Sequence, residues 1–268
     1  MKSQRQLSVV EPGQAKVAIR ASGLSKVYPG GTIALSDVSF DIRDGEFISV
    51  VGPSGCGKST MMKIVAGLLS YTGGKAFIGE REVKAPSPDV GVVFQSPVLL
   101  PWLTILDNVL FPIVAQNLRK KDYEPRAREL LGMVGLNGFE TKYPHQLSGG
   151  MQQRASIVRA LVQDPRILLM DEPFGALDAM TRDQMNVDLR RIWQASGKTI
   201  VFITHSITES VFLSDRVFVM TPRPGKLEKI LDIDLPKDRG LSIVNTTQFG
   251  NYAEQIRTLL NAKGGIAE

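Results

Sequence analysis

The chain has 268 residues, of which 43% are hydrophobic and 22% charged, a composition typical of a globular protein with a sizeable core. Its one cysteine excludes an internal disulfide framework and fits a reducing compartment, and its two histidines argue against a histidine-rich metal site. No apolar run approaches the roughly 18 residues that span a bilayer. The net charge of +5 would suit nucleic acid, an acidic small ligand or a membrane surface, but the basic residues are dispersed and so favour none of these partners strongly.

The first third of the chain predicts two strands, a glycine-rich turn and a helix. Residues 1–16 form a polar leader without the apolar segment of a secretory signal. Residues 34–42 alternate apolar and polar side chains like a half-buried strand, and the apolar run at 46–51 predicts a buried strand. Helical spacing at 60–68 predicts a helix that the glycines at 73–74 end. Strand, turn and helix in this order begin an α/β unit.

The rest of the chain predicts a helical insertion in an α/β core. A short strand at 90–95 precedes a mainly helical lobe at about 96–164. The core then resumes with strands and helices predicted at 166–172, 180–195, 199–204, 207–213 and 216–220, and Gly197 ends the long helix. We therefore expect one domain over 17–240 and a C-terminal helical tail over 241–268.

The stretch GPSGCGKST, residues 52–60, has the spacing of a phosphate-binding loop between a strand and a helix. Its backbone N–H groups and the helix N-terminus would cradle phosphate oxygens. Lys58 would reach the β- and γ-phosphates, and the Ser59 hydroxyl would bind Mg²⁺. The alternative, a plain glycine-rich connection, is disfavoured by this context. The candidate nucleotide contacts are Gly52, Pro53, Ser54, Gly55, Cys56, Gly57, Lys58, Ser59 and Thr60.

Two adjacent carboxylates end the predicted strand at 166–172. Asp171 would help to hold Mg²⁺ beside the γ-phosphate, and Glu172 would act as general base towards the attacking water. The same pair would also suit a surface loop after a core strand. Its combination with the phosphate loop favours the catalytic interpretation.

Three further side chains are candidates for the same site. Gln95 ends a strand just before the helical lobe, where its amide would contact Mg²⁺ or the water, although a lone glutamine is more often a solvated surface residue. His205 follows the strand at 199–204, where its ring would contact the γ-phosphate or simply be satisfied in a turn. Tyr28 lies in a polar turn, where an adenine ring would stack on it or the ring would pack on its own loop.

Taken in chain order, these residues resemble the ATP-binding subunit of an ABC transporter. The matching positions are the aromatic loop at Tyr28, Walker A at 52–60, the Q-loop at Gln95, the signature LSGGM at 147–151, Walker B at 167–173, the D-loop GALD at 175–178 and the switch histidine His205. The resemblance spans roughly residues 17–220. It implies a P-loop NTPase core of ABC type, with an antiparallel β subdomain, an inserted α-helical subdomain, and ATP and Mg²⁺ as ligands. The sequence departs from the common pattern at Met151 and Ser206, and neither change removes a phosphate ligand.

The resemblance also implies that two copies act together. Ser148 would cap a helix whose Gly149 and Gly150 offer bare N–H groups, a second anion site without a lysine or a metal ligand. Such a site would complete the ATP site of another copy in a head-to-tail dimer. The residues donated across this dimer would be Ser148, Gly149, Gly150, Met151 and Asp178.

Several phrases, among them LLPWLTILDNV and DEPFGALDAMTR, are similar to the importer subgroup for nitrate, aliphatic sulfonates and taurine. This implies a peripheral ATPase at the cytoplasmic face of the inner membrane, with permease subunits docking near Gln95–Val109 and, indirectly, an extracytoplasmic solute-binding protein. Trp102 would anchor a permease or lie in the core. One alternative is a soluble ABC-type ATPase acting on nucleic acid or the ribosome, which a single cassette without inserted coiled coils disfavours. Another is a regulatory module without turnover, which Glu172 and His205 disfavour.

Overall fold

The computed structural model describes residues 16–175 and 177–262. The predicted leader, apart from Lys16, and the last six residues of the predicted tail lie outside the described residues. In chain order, the described strands are β1 (Val17–Val27), β2 (Ile33–Arg43), β3 (Phe47–Val51), β4 (Gly73–Ile78), β5 (Arg81–Glu82), β6 (Val90–Val93), β7 (Ile167–Asp171), β8 (Thr199–Ile203), β9 (Arg216–Met220) and β10 (Leu227–Asp232).

Seven α-helices lie within the described residues. They are α1 (Lys58–Val65), α2 (Ile105–Ala115), α3 (Lys120–Met133), α4 (Gly149–Leu161), α5 (Ala179–Ser196), α6 (Ile207–Leu213) and α7 (Thr247–Asn261). Helices α2, α3 and α4 come between β6 and β7, as the sequence predicted for the inserted lobe, and pack on one another. None of the described helices combines the length and apolarity needed to cross a bilayer.

The strands form two sheets. The first is antiparallel, with the order β2-β1-β4-β5, and the second has the order β10-β9-β3-β8-β7-β6. In the second sheet, β9, β3, β8, β7 and β6 are parallel and β10 pairs antiparallel with β9. The carboxyl ends of the parallel strands therefore share one edge, where ligands of open α/β sheets bind.

Both faces of the second sheet are covered, which explains why β3 and β8 are buried along their whole length and largely apolar. Phe47 and Phe202 belong to a core on the side of the helices α2 to α7. Val50 and Ile203 belong to a second core, which includes α1 and the antiparallel sheet. The edge that carries the candidate site is thus supported from two sides.

The predicted end of the first helix is wrong. Helix α1 ends at Val65, and the chain turns at Gly67, where φ is +73° and a Cβ atom would lie 2.3 Å from the backbone of Ala85. The glycines at 73–74 instead begin β4. A sequence pattern does not reveal such a close approach, because the opposing backbone is distant along the chain. The predicted stop at Gly197 is confirmed, since this residue is the left-handed C-cap of α5.

Candidate active site

The predicted phosphate-binding loop, residues 52–60, connects the buried strand β3 to α1. Its backbone is left-handed at Gly55, with φ +74°, and at Gly57, with φ +106°. A Cβ atom on Gly57 would lie 2.6 Å from the carbonyl oxygen of Ala34, so a larger residue does not fit there. Gly57 is also the N-cap of α1 and has no side chain, which leaves the first N–H groups of the helix to an anion.

Lys58 begins α1 and is buried within the loop. Its Nζ donates hydrogen bonds to the carbonyl oxygens of Gly52, at 2.7 Å, and Pro53, at 3.1 Å. Lys58 also lines a cavity of about 340 Å³ at the mouth of the loop. Phosphate oxygens in that cavity would offer charged acceptors, which form stronger hydrogen bonds with an ammonium than neutral carbonyls do.

Cys56 belongs to the same loop, but its thiol is buried and lies 3.9 Å from Nζ of Lys58. Burial raises the pKa of this thiol, and Lys58 offsets the rise only in part. A Cβ atom on Gly52 would lie 2.9 Å from the sulfur, so the thiol is packed closely against the loop backbone. The Cys56 side chain therefore supports the shape of the loop, and we expect thiol reagents to reach it slowly.

Ser59 and Asp171 meet between α1 and the end of β7. The Ser59 Oγ donates a hydrogen bond to Oδ1 of Asp171 at 3.0 Å. Burial raises the pKa of the Asp171 carboxyl, and the charge of Glu172 adds to this rise while the Ser59 bond opposes it. A hydroxyl and a partly desolvated carboxylate are the hard oxygen ligands that Mg²⁺ prefers. The pair therefore fits this ion, whose charge would compensate the crowded carboxylates.

Glu172 is the centre of a polar cluster built from three parallel strand ends. Its Oε2 lies 3.5 Å from Nδ1 of His205, which follows β8, and 3.4 Å from Nε2 of Gln95, which follows β6. The Glu172 backbone is left-handed, with φ +45°, a conformation that is uncommon away from glycine and concentrated at functional sites. Its N–H group donates to the carbonyl oxygen of Ile203 at 2.9 Å, which anchors the turn. The cluster suits a general base held by two neighbours.

Gln95 and His205 are both open to solvent, and the His205 side chain is 60% exposed. The Gln95 amide nitrogen points to Glu172, so the structure joins Gln95 to the candidate base rather than to the Ser59–Asp171 pair. Both side chains are therefore accessible to a ligand that approaches from the solvent.

Tyr28 lines the same cavity as Lys58. Its hydroxyl lies 3.2 Å from Oγ1 of Thr60, and the ammonium of Lys26 lies 5.4 Å from its ring centroid. The half-buried ring is thus held at the mouth of the phosphate loop, where it would meet the base of a bound nucleotide.

The signature residues lie apart from this cavity. Its described lining comes from residues 28–60, Glu172 and Arg223, and does not include residues 148–151. Among the described residues, the phosphate loop thus lines the cavity beside Glu172, and the signature turn does not.

Two polar side chains cap the helices near the signature. The Ser148 Oγ accepts a hydrogen bond from the Met151 N–H at 3.3 Å and so caps α4. Asp178 caps α5 by accepting from the Thr181 N–H at 3.0 Å, a bond that lowers the pKa of this carboxyl. A Cβ atom on Gly149 would meet nothing within 4 Å in the described chain. The signature turn is therefore open at Gly149, whereas a Cβ atom on Gly150 would lie 3.0 Å from Cγ2 of Thr181.

Three residues of the cavity escaped the sequence prediction, namely Thr32, Ala34 and Arg223. Arg223 follows β9, which is parallel to β3, and the rule that ligands bind at the carboxyl ends of parallel strands points to it. Thr32 and Ala34 reach the loop only because β2 packs beside it, and they carry no chemical motif.

Comparison with known proteins is consistent with the motif order. The family model described as "ABC transporter" matches residues 35–175. An uncharacterized ABC transporter ATP-binding protein of Methanocaldococcus jannaschii is 46% identical to this chain, over 91% of this chain and 92% of its own length. The taurine import ATP-binding protein TauB of Rhizobium johnstonii is 44% identical, over 85% of this chain and 89% of its own length.

Solved structures give the same result for the fold. The dimeric ATP-binding cassette MJ0796, in a post-hydrolysis state bound to ADP and inorganic phosphate, matches with a TM-score of 0.71 and 34% identity. The match covers 83% of this chain and 100% of that chain. The P-loop NTPase fold of ABC type that the sequence predicted is therefore confirmed.

Proposed function

This chain belongs to the ABC transporter family, and from that premise we propose that it is the ATP-hydrolysing subunit of an importer. It couples ATP binding and hydrolysis to the uptake of a small anionic solute, of nitrate, sulfonate or taurine type, through separate permease subunits. The observation that carries the proposal is the convergence of Lys58, the Ser59–Asp171 pair and Glu172 at one edge of the parallel sheet. The similarity to TauB supports the solute class.

Each part of the site has a role in this reaction. The N–H groups at the start of α1 and the Lys58 ammonium bind the phosphate chain of ATP. Ser59 and Asp171 would hold Mg²⁺, whose positive charge would offset the negative charge of the phosphates. The amide oxygen of Gln95 would be a further Mg²⁺ ligand, because the Nε2 atom of the same amide is directed to Glu172 and leaves the oxygen for the ion. Glu172 accepts the proton of the attacking water, and His205 helps to orient that water.

The same proposal makes a second copy of the chain part of the active site. The Ser148 cap and the open Gly149 would meet the γ-phosphate of ATP bound to the other copy, because the positive end of α4 favours an anion. Gly150, Met151 and Asp178 would lie in the same interface. Binding of ATP would then close the dimer, and hydrolysis would reopen it.

The loop that follows Gln95 is the candidate docking site for the permease. Buried Asn108 holds this loop, accepting from the Leu100 N–H at 2.7 Å, and Arg159 donates to the Val98 carbonyl oxygen at 2.7 Å. Trp102 is 70% exposed on the loop that these two residues fix, which suits an interface anchor. Docking over Gln95–Val109 would connect the permease to the catalytic cluster. Docking to the permease would place the chain at the cytoplasmic face of the membrane, and a solute-binding protein would act from the opposite face.

Glu172→Gln tests the catalytic part of the proposal. We expect this variant to bind Mg·ATP, to hydrolyse it about 10²–10⁴-fold more slowly because the general base is lost, and to accumulate as a dimer. Hydrolysis assays and light scattering with Mg·ATP measure these properties, and Glu80→Gln, an exposed carboxylate change elsewhere, is the matched control. A variant that stays monomeric with Mg·ATP would contradict the shared site, and unimpaired hydrolysis would contradict the role of Glu172.

The importer assignment needs a separate experiment. The chain, reconstituted in proteoliposomes with a candidate permease and a candidate solute-binding protein, should show ATPase activity that the loaded binding protein stimulates. Stimulation by nucleic acid or ribosomes in its place would favour the alternative, an ABC-type ATPase without a transport role.

A further inference from the structure

The turn between β9 and β10, residues 221–226, packs directly on the phosphate loop. Thr221 closes the turn, since its N–H donates to the Lys226 carbonyl oxygen at 3.0 Å and its Oγ1 accepts from the Lys226 N–H at 3.0 Å. A Cβ atom on Gly225 would lie 1.9 Å from the carbonyl oxygen of Cys56, so the two backbones touch. The turn and the loop therefore behave as one packed unit.

Arg223 projects from this turn to the same loop. Its Nε and Nη2 atoms lie 3.3 Å and 3.2 Å from the carbonyl oxygen of Gly55. The side chain is exposed, and it lines the cavity that also contains Lys58 and Tyr28. Among the described residues these are the only hydrogen bonds of its guanidinium, so Nη1 keeps two N–H donors for a ligand.

Within the described part of the chain, no carboxylate forms an ion pair with Arg223. Arg216, on the strand before the turn, pairs with Glu46 at 2.6 Å, whereas Arg223 has no ion pair with any described residue. The charged groups that line the cavity are Lys58, Glu172 and Arg223. A guanidinium that is held at one edge and open at the other matches the geometry of a phosphate group.

We propose that Arg223 is a further nucleotide-binding residue, whose guanidinium contacts the phosphate chain of ATP. Its bond to Gly55 fixes the direction of the side chain, and the packing of Gly225 fixes the turn that carries it. The motif of the phosphate loop supplies one cation, Lys58, and the β9–β10 turn supplies a second from another element. This assignment rests on the proposed function, because it requires ATP at the loop.

Nucleotide titrations of four variants test the assignment. The probe is the non-hydrolysable analogue AMP-PNP with Mg²⁺, and the variants are Arg223→Ala, Arg223→Lys, Arg223→Gln and Lys226→Ala. Because charged hydrogen bonds are lost, Arg223→Ala should raise the Kd about tenfold. Arg223→Gln should weaken binding to a similar extent, whereas Arg223→Lys keeps the charge and should retain part of the affinity. Lys226→Ala removes a positive charge from the same turn, outside the cavity lining, and should bind like the wild type.

Two further measurements separate a phosphate contact from mere support of the loop. The salt dependence of the Kd should be shallower for Arg223→Ala than for Lys226→Ala, because only the former loses a charge that meets the ligand. Thermal unfolding without nucleotide should be alike for all four variants. If Arg223→Gln bound as tightly as the wild type while Arg223→Lys bound weakly, the bond to Gly55 would be the important feature and the proposal would be wrong.

Failure of this inference is distinguishable from failure of the proposed function. If the wild type and Lys226→Ala bind AMP-PNP and Arg223→Ala binds within twofold of them, only the role of Arg223 is refuted. If the wild type itself does not bind AMP-PNP, the proposed ATPase function is refuted, and the role of Arg223 is refuted with it.

Discussion

Two serine- and glycine-containing turns open helices in this protein, the phosphate loop before α1 and the signature turn before α4. Both leave helix N–H groups to an anion, and neither helix has an acidic residue in its first turn. They differ in what surrounds their glycines. Gly57 is enclosed by β2, since a Cβ atom there would lie only 2.6 Å from the Ala34 oxygen, whereas a Cβ atom on Gly149 would meet nothing within 4 Å in the described chain.

The difference separates two reasons for a glycine. The phosphate loop needs glycine at position 57 because β2 of the same chain lies against it. Folding of a single chain therefore completes this loop. The signature turn has no such constraint at Gly149 within the described chain. A requirement for glycine there would come from another molecule, which agrees with a site shared between two copies.

The largest effect should come from Lys58→Ala, which breaks the self-contained turn. Loss of the buried ammonium removes the charged donor for the phosphates and the two hydrogen bonds to Gly52 and Pro53. We expect ATP affinity to fall by about 100-fold or more, measured by calorimetric titration. Lys63→Ala, an exposed change on the same helix, is the control and should bind nearly normally. Near-normal affinity in Lys58→Ala would refute the assignment of the loop.

Alanine at Gly57 and at Gly149 should separate the two turns directly. In Gly57→Ala the φ of +106° and the contact with Ala34 are both unfavourable, so we expect loss of stability by about 1–3 kcal/mol together with weaker ATP binding. Gly149→Ala should fold and bind ATP as a monomer normally, because alanine favours the helix that begins there. Its defect should appear as reduced dimer formation in the Glu172→Gln background, measured by light scattering. Dimers as stable as those of the parent would mean that Gly149 does not lie in the interface.

The sequence predicted those parts of the site whose functional residues are neighbours along the chain. The spacing from Gly52 to Thr60 and the pair Asp171–Glu172 are local patterns, and the order of the parallel strands then places them at one edge. The link between Gln95 and Glu172 was not predicted, because it joins residues from different strand ends. Arg223 was not predicted either, since its role depends on the packing of Gly225 on the loop.

The fold shows the same division between local and distant causes. Alternation predicted β2, but β1 was missed, because its pairing with β2 has several register shifts that interrupt the period. The turn at Gly67 was missed because only the backbone of Ala85 reveals the need for glycine. Patterns that act within one element are readable in the sequence, whereas close approaches between elements require the structure.

The smallest change in stability, with a sign that differs between the two variants, should come from replacing the two aspartates near the turns. Burial and the neighbouring Glu172 raise the pKa of Asp171, so its folded state holds a proton more tightly than the unfolded state does. Stability should therefore fall as the pH rises through this interval, and the penalty is fully present at neutral pH. Asp171→Asn should raise the melting temperature at pH 7 while Mg·ATP hydrolysis is lost. The gain should vanish as the pH falls below the ordinary carboxyl value of about 3.9.

Asp178→Asn, beside the signature, is the matched control with the opposite sign. The Thr181 N–H lowers the pKa of Asp178, so its charge stabilises the folded state above the ordinary carboxyl pKa, and this contribution is lost as the pH falls through the lowered value. Asparagine still caps a helix well, so the melting temperature at pH 7 should fall only slightly or not at all. Melting curves of both variants and the wild type between about pH 3 and pH 8 give the comparison. A lower melting temperature for Asp171→Asn at pH 7 would mean that the Ser59 hydrogen bond stabilises the fold more than burial of the Asp171 carboxylate destabilises it. The charged Asp171 would then not reduce the stability of the fold in the absence of the cation.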